Sequence, residues 1–373
     1  MERFDVIIIG LGAMGSAAAC HLARRGQRVL GLDRFAPPHA LGSSHGQTRI
    51  IREAYHEHPA YVPLVQRAYE LWSELERQTG RTLYRKTGGL MIGNPGGPVV
   101  DGAKRSAKEH SLAHEVLSAA EVRNRFPALQ PADGMVAVWE PRAGILFPEI
   151  CIDAHLTIAR MQSADLRGDE PALSWVDEGD DVKVITSKGA YQAGQLVLTA
   201  GSWNPSLLQG FKLPLAVERQ VQFWFEPKHP VHFQPERCPI HIWEHESGRF
   251  FYGFPDLGEG VKVARHHEGE IANPNSIRRE VLPEDVEAMR RVVRRFLPDA
   301  DGPMRSAVVC MYTNTPDSHF FIDRHPAQPQ VLIASPCSGH GFKFSSVIGE
   351  VLADLLTEGQ TRFDLSLFRN RFQ

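Results

Sequence analysis

Cysteine is scarce and scattered in this 373-residue chain: Cys20, Cys151, Cys238, Cys310 and Cys337 form no CxxC pair, which excludes a disulfide framework and a zinc ribbon. An excess of either charge is lacking too. The 41 Lys and Arg face 44 Asp and Glu, a formal net charge of −3, so there is no general electrostatic claim on nucleic acid or anionic lipid. Any charged ligand has to be caught locally. No run approaches the roughly 20 apolar residues of a membrane span, and Met1-Glu2-Arg3-Phe4-Asp5 shows none of the zones of a secretion signal, so a cytoplasmic location is expected. GxSxG and the P-loop are absent, and the 17 histidines are not at metal-ligand spacing. What remains is the composition of a globular protein, 42% hydrophobic, long enough for two domains or one large composite.

What is present begins with a strand. Asp5 to Ile9 (DVIII) is rich in β-branched residues and bounded by glycine, as in a strand buried on both faces of a parallel sheet. Gly10-Leu11-Gly12-Ala13-Met14-Gly15 follows, then helical spacing from Ser16 to Arg25 and a second strand from Arg28 to Leu32 that ends at Asp33. In that βαβ context Gly10 makes the tight turn, Gly12 admits a pyrophosphate to the backbone, Gly15 lets helix and strand pack closely, and Asp33 can accept ribose hydroxyls. The fingerprint serves FAD and NAD equally. Leu64, Ala68, Leu71, Trp72 and Leu75 make one stripe of a scaffold helix over 61–79 that stops at Gly80. Gln192 to Thr199 reads as another buried strand running into Ala200-Gly201-Ser202-Trp203, where backbone can approach a ligand. Alternation and aromatics over 213–309 predict an antiparallel sheet, and Val331 to Ala334 a strand followed by a glycine-bearing loop and a helix over 344–356.

Four constellations could carry chemistry. Ser338-Gly339-His340-Gly341-Phe342-Lys343 opens the last helix, so amides, helix dipole and ammonium converge where an anion could sit; a solvated lysine after a turn reads equally well. Arg49 and Arg52 stand three apart, on neighbouring faces if the turn is helical, which suits a carboxylate or phosphate or a plain basic surface pair. Lys262 and His266 share one face of a strand with small Ala264 between them, lining a pocket or facing solvent. Cys310, among apolar neighbours, reads locally as a buried inert thiol.

Taken in order, GxGxxG with Asp33, GSSHGQTRIIREAY at 42–55, YGFP at 252–255, KVARH at 262–266, CMYTNTPDSHFFID at 310–323 and SGHGFKFSS at 338–346 resemble the monomeric sarcosine oxidase family, which includes N-methyltryptophan oxidase, over nearly the whole chain. The resemblance implies a mixed α/β flavoenzyme with a Rossmann-like FAD-binding domain and a second domain on an antiparallel sheet. It implies oxidation of the C–N bond of a secondary amino acid by FAD, with O2 reduced to hydrogen peroxide, in a monomer that binds neither nucleic acid nor membrane. It further implies that FAD is attached to Cys310; that Arg52 and Lys343 clamp the substrate carboxylate; that His266 and Tyr252 lie near the substrate and Tyr312 near the ring; and that Lys262 promotes oxygen reduction. The cofactor contacts it implies are Gly10, Gly12, Gly15, Asp33, Arg34, Ser43, Thr48, Arg49, Gly201, Trp203, Gly339 and Gly341, with Cys310 and Lys343.

On this reading residues 1–85, 148–212 and 310–373 form a discontinuous FAD-binding domain, and 86–147 and 213–309 the substrate domain. Two stretches depart from the family pattern: Cys337 puts a second thiol near the cofactor, and His241-Ile242-Trp243-Glu244-His245 puts Trp243 or Glu244 in the pocket wall, changing its volume and polarity. Cyclic or bulkier N-alkyl amino acids such as pipecolate, N-methyltryptophan or Amadori compounds are therefore alternatives to sarcosine. From other classes, a NAD-dependent dehydrogenase would share only the first fingerprint, and a silent flavin-binding module would release no peroxide.

Overall fold

Apolar runs with no polar face become strands buried on both sides. In the computed structural model, which describes residues 2–208 and 210–372, Glu2–Ile9 pairs in parallel with Val29–Leu32 and with Ala190–Leu198. Gln328–Ser335 joins the far end of Ala190–Leu198, and Asp165–Arg167 extends the sheet beyond Val29–Leu32, both in parallel. Antiparallel additions, Ala172–Asp177 with Val182–Thr186 and Phe321–His325 against Gln328–Ser335, complete eight strands. One face packs against the helices Ala13–Arg24, Val62–Thr79, Pro148–Met161 and Ser345–Thr357. Parallel strands deliver their carboxyl ends to one edge, so Gly10, Asp33, Thr199 and Pro336 all emerge together there, where open α/β sheets bind ligands.

The first turn depends on two glycines. Gly10 takes φ +95°, and a Cβ on Gly15, inside the first helix, would stand 1.7 Å from the Gly10 carbonyl oxygen. A Cβ on Gly12 would meet no protein atom within 4 Å, since it faces an open cleft. The helix Val62–Thr79 ends at Gly80 in the left-handed region (φ +65°), as the sequence predicts, and Trp72 of its buried stripe donates Nε1 to the Lys343 carbonyl at 3.0 Å.

The second sheet runs Met304–Asn314, Ala216–Phe225, Val261–His266, Arg249–Asp256, Ile240–Glu246, Gly89–Gly93, Val136–Glu140, Glu115–Ser118. All its pairings are antiparallel except Ile240–Glu246 with Gly89–Gly93. The strand Met304–Asn314 passes residue 310 without a break, which puts Cys310 mid-strand opposite Gln220. The helix Pro283–Phe296, which the sequence reading did not place, lays Met289, Val293 and Phe296 over the face away from the cleft. Its apolar residues at Met289, Val292, Val293 and Phe296 carry the helical period that identifies it. Arg49 is not on a helical turn: β-branched Ile50 and Ile51 extend Arg49–Ile51 against Gly144–Leu146 in a small third sheet with Tyr84–Lys86. Among the described residues no helix is long and apolar enough to cross a membrane.

Because the Gly15 Cβ has backbone, not a flexible side chain, in its way, Gly15→Ala should cost about 3 kcal/mol through overpacking. Thermal melts should show a marked drop in Tm together with loss of bound cofactor; an unchanged Tm would mean that helix and strand are not held at this distance.

Candidate active site

A single long cleft runs from the edge of the first sheet to the face of the second. At its outer end the first helix begins at Gly12 with no side-chain cap and no acidic residue in its first turn, which leaves its amides available to an anion. Asp33, largely buried, accepts the amides of Leu11 (2.7 Å) and Phe35 (2.9 Å), which ties its loop to the glycine turn while the residue lines the cleft. Arg34 and Trp203 also line it, and both donate to Asn275 Oδ1, at 2.7 and 2.8 Å. Ser43, Arg49 and Gly201 line the same cleft. An uncapped helix start, a glycine that leaves room, an acid at the end of the second strand and a long cleft fit a flavin adenine dinucleotide: Gly10, Gly12 and Asp33 for its ADP half, Gly201, Arg49 and the Gly339–Gly341 loop deeper in.

The inner end is cationic. Arg52 follows the strand Arg49–Ile51 and is 1% exposed; its Nη2 donates to both oxygens of Glu57 (2.9 and 2.7 Å) and its Nη1 to the Ala54 carbonyl (3.0 Å). Its Nε is buried with no hydrogen-bond partner. Lys343, also buried, donates to the His340 carbonyl at 2.7 Å. The Arg52 guanidinium and the Lys343 ammonium lie 4.2 and 5.1 Å from the centroid of the same Tyr55 ring. Burial, and then the Arg52 charge, lower the Lys343 pKa to about 7, against partial support from Glu57. Burial works to raise the Glu57 carboxyl, but Arg52 and the other basic groups around it, Lys343 among them, together outweigh burial and hold that carboxyl well below the usual range. The histidines add no charge: burial first takes His56 to about 4 and His340 to about 3, and lowers His266 strongly.

The second sheet closes this end. Tyr252 and His266 face the cleft with Tyr312, and His266 Nδ1 lies 3.0 Å from the Tyr312 hydroxyl. Gly339 (φ +75°) passes so close that a Cβ would stand 2.7 Å from both the His266 and Tyr312 rings. A Cβ on Gly341 would meet the Pro336 carbonyl oxygen at 1.7 Å. The structure therefore brings Arg52, Lys343, His266, Tyr252, Tyr312, Gly339 and Gly341 together.

Lys262 and Cys310 lie just behind the wall and do not line the open cleft, whereas Cys337 does. Lys262 shares its strand face with His266, but its ammonium donates to the Gly46 carbonyl (2.6 Å) and to the Thr48 carbonyl and hydroxyl (3.0 Å each). Burial and then Arg49 hold its pKa well below the usual lysine value. Thr48 thus serves the lysine and is not among the residues at the cleft surface. Cys310 Sγ lies 3.5 Å from the Ser43 carbonyl oxygen and 3.8 Å from Arg49 Nη2, and both Ser43 and Arg49 do line the cleft. Burial raises the Cys337 thiol to about 11.

One expectation is corrected. Trp243 is not in the pocket wall: it is fully buried on the opposite side of its strand, stacked on Phe251 and against Phe296. Glu244 does not line the cleft either, and from this stretch it is Ile242 that does, beside Phe250 and Tyr252. The pleat alternates faces, which turns Trp243 away; Glu244 shares the face of Ile242 but lies further along the strand, beside Gly93 and Gly97. Sequence reasoning also missed Glu57, His56 and Gln222, all at the cleft; an acid five residues beyond Arg52 was the signal for the first.

The match to known proteins agrees with this geometry. The family described as FAD dependent oxidoreductase matches residues 5–355, and the chain belongs to it. It is 48% identical over 373 residues to a monomeric sarcosine oxidase of Streptomyces avermitilis, covering 99% of this chain and 97% of that protein. It is 33% identical over 367 residues to an N-methyl-L-tryptophan oxidase of Yersinia pestis, covering 98% of each. In fold it superposes on the open form of NikD, an unusual amino acid oxidase essential for nikkomycin biosynthesis, with TM-score 0.85 at 24% identity, covering 99% of this chain and 98% of that one.

Lys343, with its pKa near 7, gives the site a pH signature. An anion at this end favours the protonated amine, so affinity for a simple carboxylate should be full below about pH 7 and fall as pH rises through it, by up to about tenfold per pH unit. Competitive inhibition by acetate across this range checks it, and Lys343→Met should flatten the profile; a flat profile in the parent enzyme would remove Lys343 from the anion site.

Proposed function

We propose that the protein is an FAD-dependent oxidase of secondary amino acids. The C–N bond of an N-methyl or cyclic amino acid is oxidised to an imine that hydrolyses in water, and O2 is reduced to hydrogen peroxide. The reading is carried by Arg52 and Lys343, two buried cations over one tyrosine ring at the inner end of an FAD-family cleft. The relatives named sarcosine oxidase and N-methyltryptophan oxidase support it.

Bound FAD supplies the two-electron acceptor, held by Gly10, Gly12, Asp33, Arg34, Ser43, Arg49, Gly201 and Trp203. The side chains do the rest. Arg52, through its unpartnered Nε, and Lys343 take the substrate carboxylate and fix the reacting carbon in one orientation. Cations in a desolvated pocket lower the pKa of the substrate amine, which must be neutral before it can be oxidised. His266 stays neutral and so adds no charge of its own. Ile242, Phe250 and Tyr252 exclude water and bound the room for the side chain. Lys262 contributes positive charge for the reduction of oxygen behind the wall. We assign the covalent anchor of FAD to Cys310, whose sulfur lies 3.5 Å from the Ser43 carbonyl oxygen and 3.8 Å from Arg49 Nη2, both residues of the cleft lining.

Peroxide release over a panel of N-methylated and cyclic amino acids tests the function; no release with any member would refute it, and the ranking identifies the side chain accepted. Acid-precipitated parent protein should keep its yellow colour in the pellet, and Cys310→Ser should release it. Colour retained in Cys310→Ser but lost in Cys337→Ser would move the anchor to Cys337. Lys262→Met should leave reduction by substrate largely intact and slow reoxidation by at least about a hundredfold; equal reoxidation rates in stopped flow would remove Lys262 from the oxygen step.

A further inference from the structure

Glu140 closes the strand Val136–Glu140 of the second sheet, opposite Gly89, and is 1% exposed. Its carboxylate reaches out of that sheet. Oε1 accepts the Glu53 amide and Oε2 the Ala54 amide, both at 2.8 Å. These are the two residues directly after Arg52, beyond the point where the Arg49–Ile51 ladder ends. Ala54 is gripped at both of its backbone groups, its N–H by Glu140 and its carbonyl oxygen by Arg52 Nη1 at 3.0 Å. Among the described residues these two amides are the carboxylate's hydrogen-bond partners, so a buried acid is spent on one turn. Burial lifts its pKa to about 7, opposed by the two amides and by Arg52, while Glu53 pushes the same way as burial. Glu53, itself buried, pairs with the half-exposed Arg142 at 2.8 Å.

We propose that Glu140 is a positioning residue for the anion site: by holding both amides of the turn it fixes the backbone from which Arg52 reaches into the cleft. The inference rests on the reading of Arg52 as the carboxylate ligand. Two N–H donors side by side need two acceptor oxygens, which a carboxylate offers and a carboxamide does not, because its NH2 would meet one of the donors. Loss of one bond lets the turn, and the guanidinium anchored on Ala54, relax. A carboxylate at this place thus acts on substrate affinity through Arg52 without touching the substrate.

The test uses the FAD-loaded protein with acetate as probe, its dissociation constant read from the perturbation of flavin absorbance. Arg52→Ala, Glu140→Gln and the double variant are compared at equal flavin content. Glu140→Gln should weaken acetate about tenfold, and the double variant should be no weaker than Arg52→Ala alone, the non-additivity expected when one residue acts through the other. Unchanged affinity in Glu140→Gln, with Arg52→Ala weakened, would overturn the positioning role alone. Additive losses would overturn it too, since Glu140 would then act apart from Arg52. Unchanged affinity in Arg52→Ala would overturn the carboxylate-ligand reading on which the inference stands. Should the Gln variant fail to fold, Glu140→Asp, which keeps the charge but shortens the reach, should weaken acetate about threefold, and parent-like affinity there would overturn the proposal.

Discussion

Two basic groups, Arg52 and Lys343, are buried at one end of the cleft, and the carboxylate paired there with Arg52 is Glu57. Burying a charge costs several kcal/mol unless it is paired. Arg52 has its pair in Glu57; Lys343 has a carbonyl oxygen and the faces of Tyr55 and Phe344 but no carboxylate in hydrogen-bond contact, and burial depresses its pKa. An arrangement this unfavourable when empty of anion binds one well, because a carboxylate relieves the repulsion that the fold has built in. The histidines around it, His56, His266 and His340, are held neutral by burial and add no further charge to that of Arg52, Lys343 and the acids beside them.

The two sheets make this possible by division of labour. Parallel pairing in the first sheet brings the ends of four strands to one edge, where glycines and Asp33 can hold a dinucleotide. The second sheet supplies a wall of Ile242, Phe250, Tyr252, His266 and Tyr312. Bonds that cross between segments far apart in sequence fix the cations relative to both: Trp72 to the Lys343 backbone, and Glu140 to the turn after Arg52. Buried polar groups of this kind specify geometry because every alternative leaves a donor unmatched.

The parts of this design that sequence makes legible are those governed by local rules. The glycine fingerprint, the buried strands, the Gly80 helix stop and the shared face of Lys262 and His266 follow from turn chemistry and from periods of 2 and 3.6 residues. Trp243 shows where local reasoning stops: the stretch 241–245 is a strand near the pocket, but only the register with Tyr252 decides that Ile242 faces in and Trp243 out. Arg49 and Arg52 carry a spacing that a helical turn and a strand explain equally well until Gly144–Leu146 pairs with one of them. Lys262 has the strand position its pattern implies, yet which acceptors take its protons depends on Gly46 and Thr48, more than two hundred residues earlier. Glu140 is invisible to any pattern, since its partners are chosen by tertiary contact alone.

The central claim, that the cationic end grips an amino acid by its carboxylate beside the flavin, is tested most directly by a crystal structure of the FAD-loaded protein with acetate. The account predicts acetate oxygens within hydrogen-bond distance of Arg52 and Lys343, in the same cleft as the isoalloxazine ring. Acetate bound elsewhere, or a flavin ring remote from both cations, would contradict it.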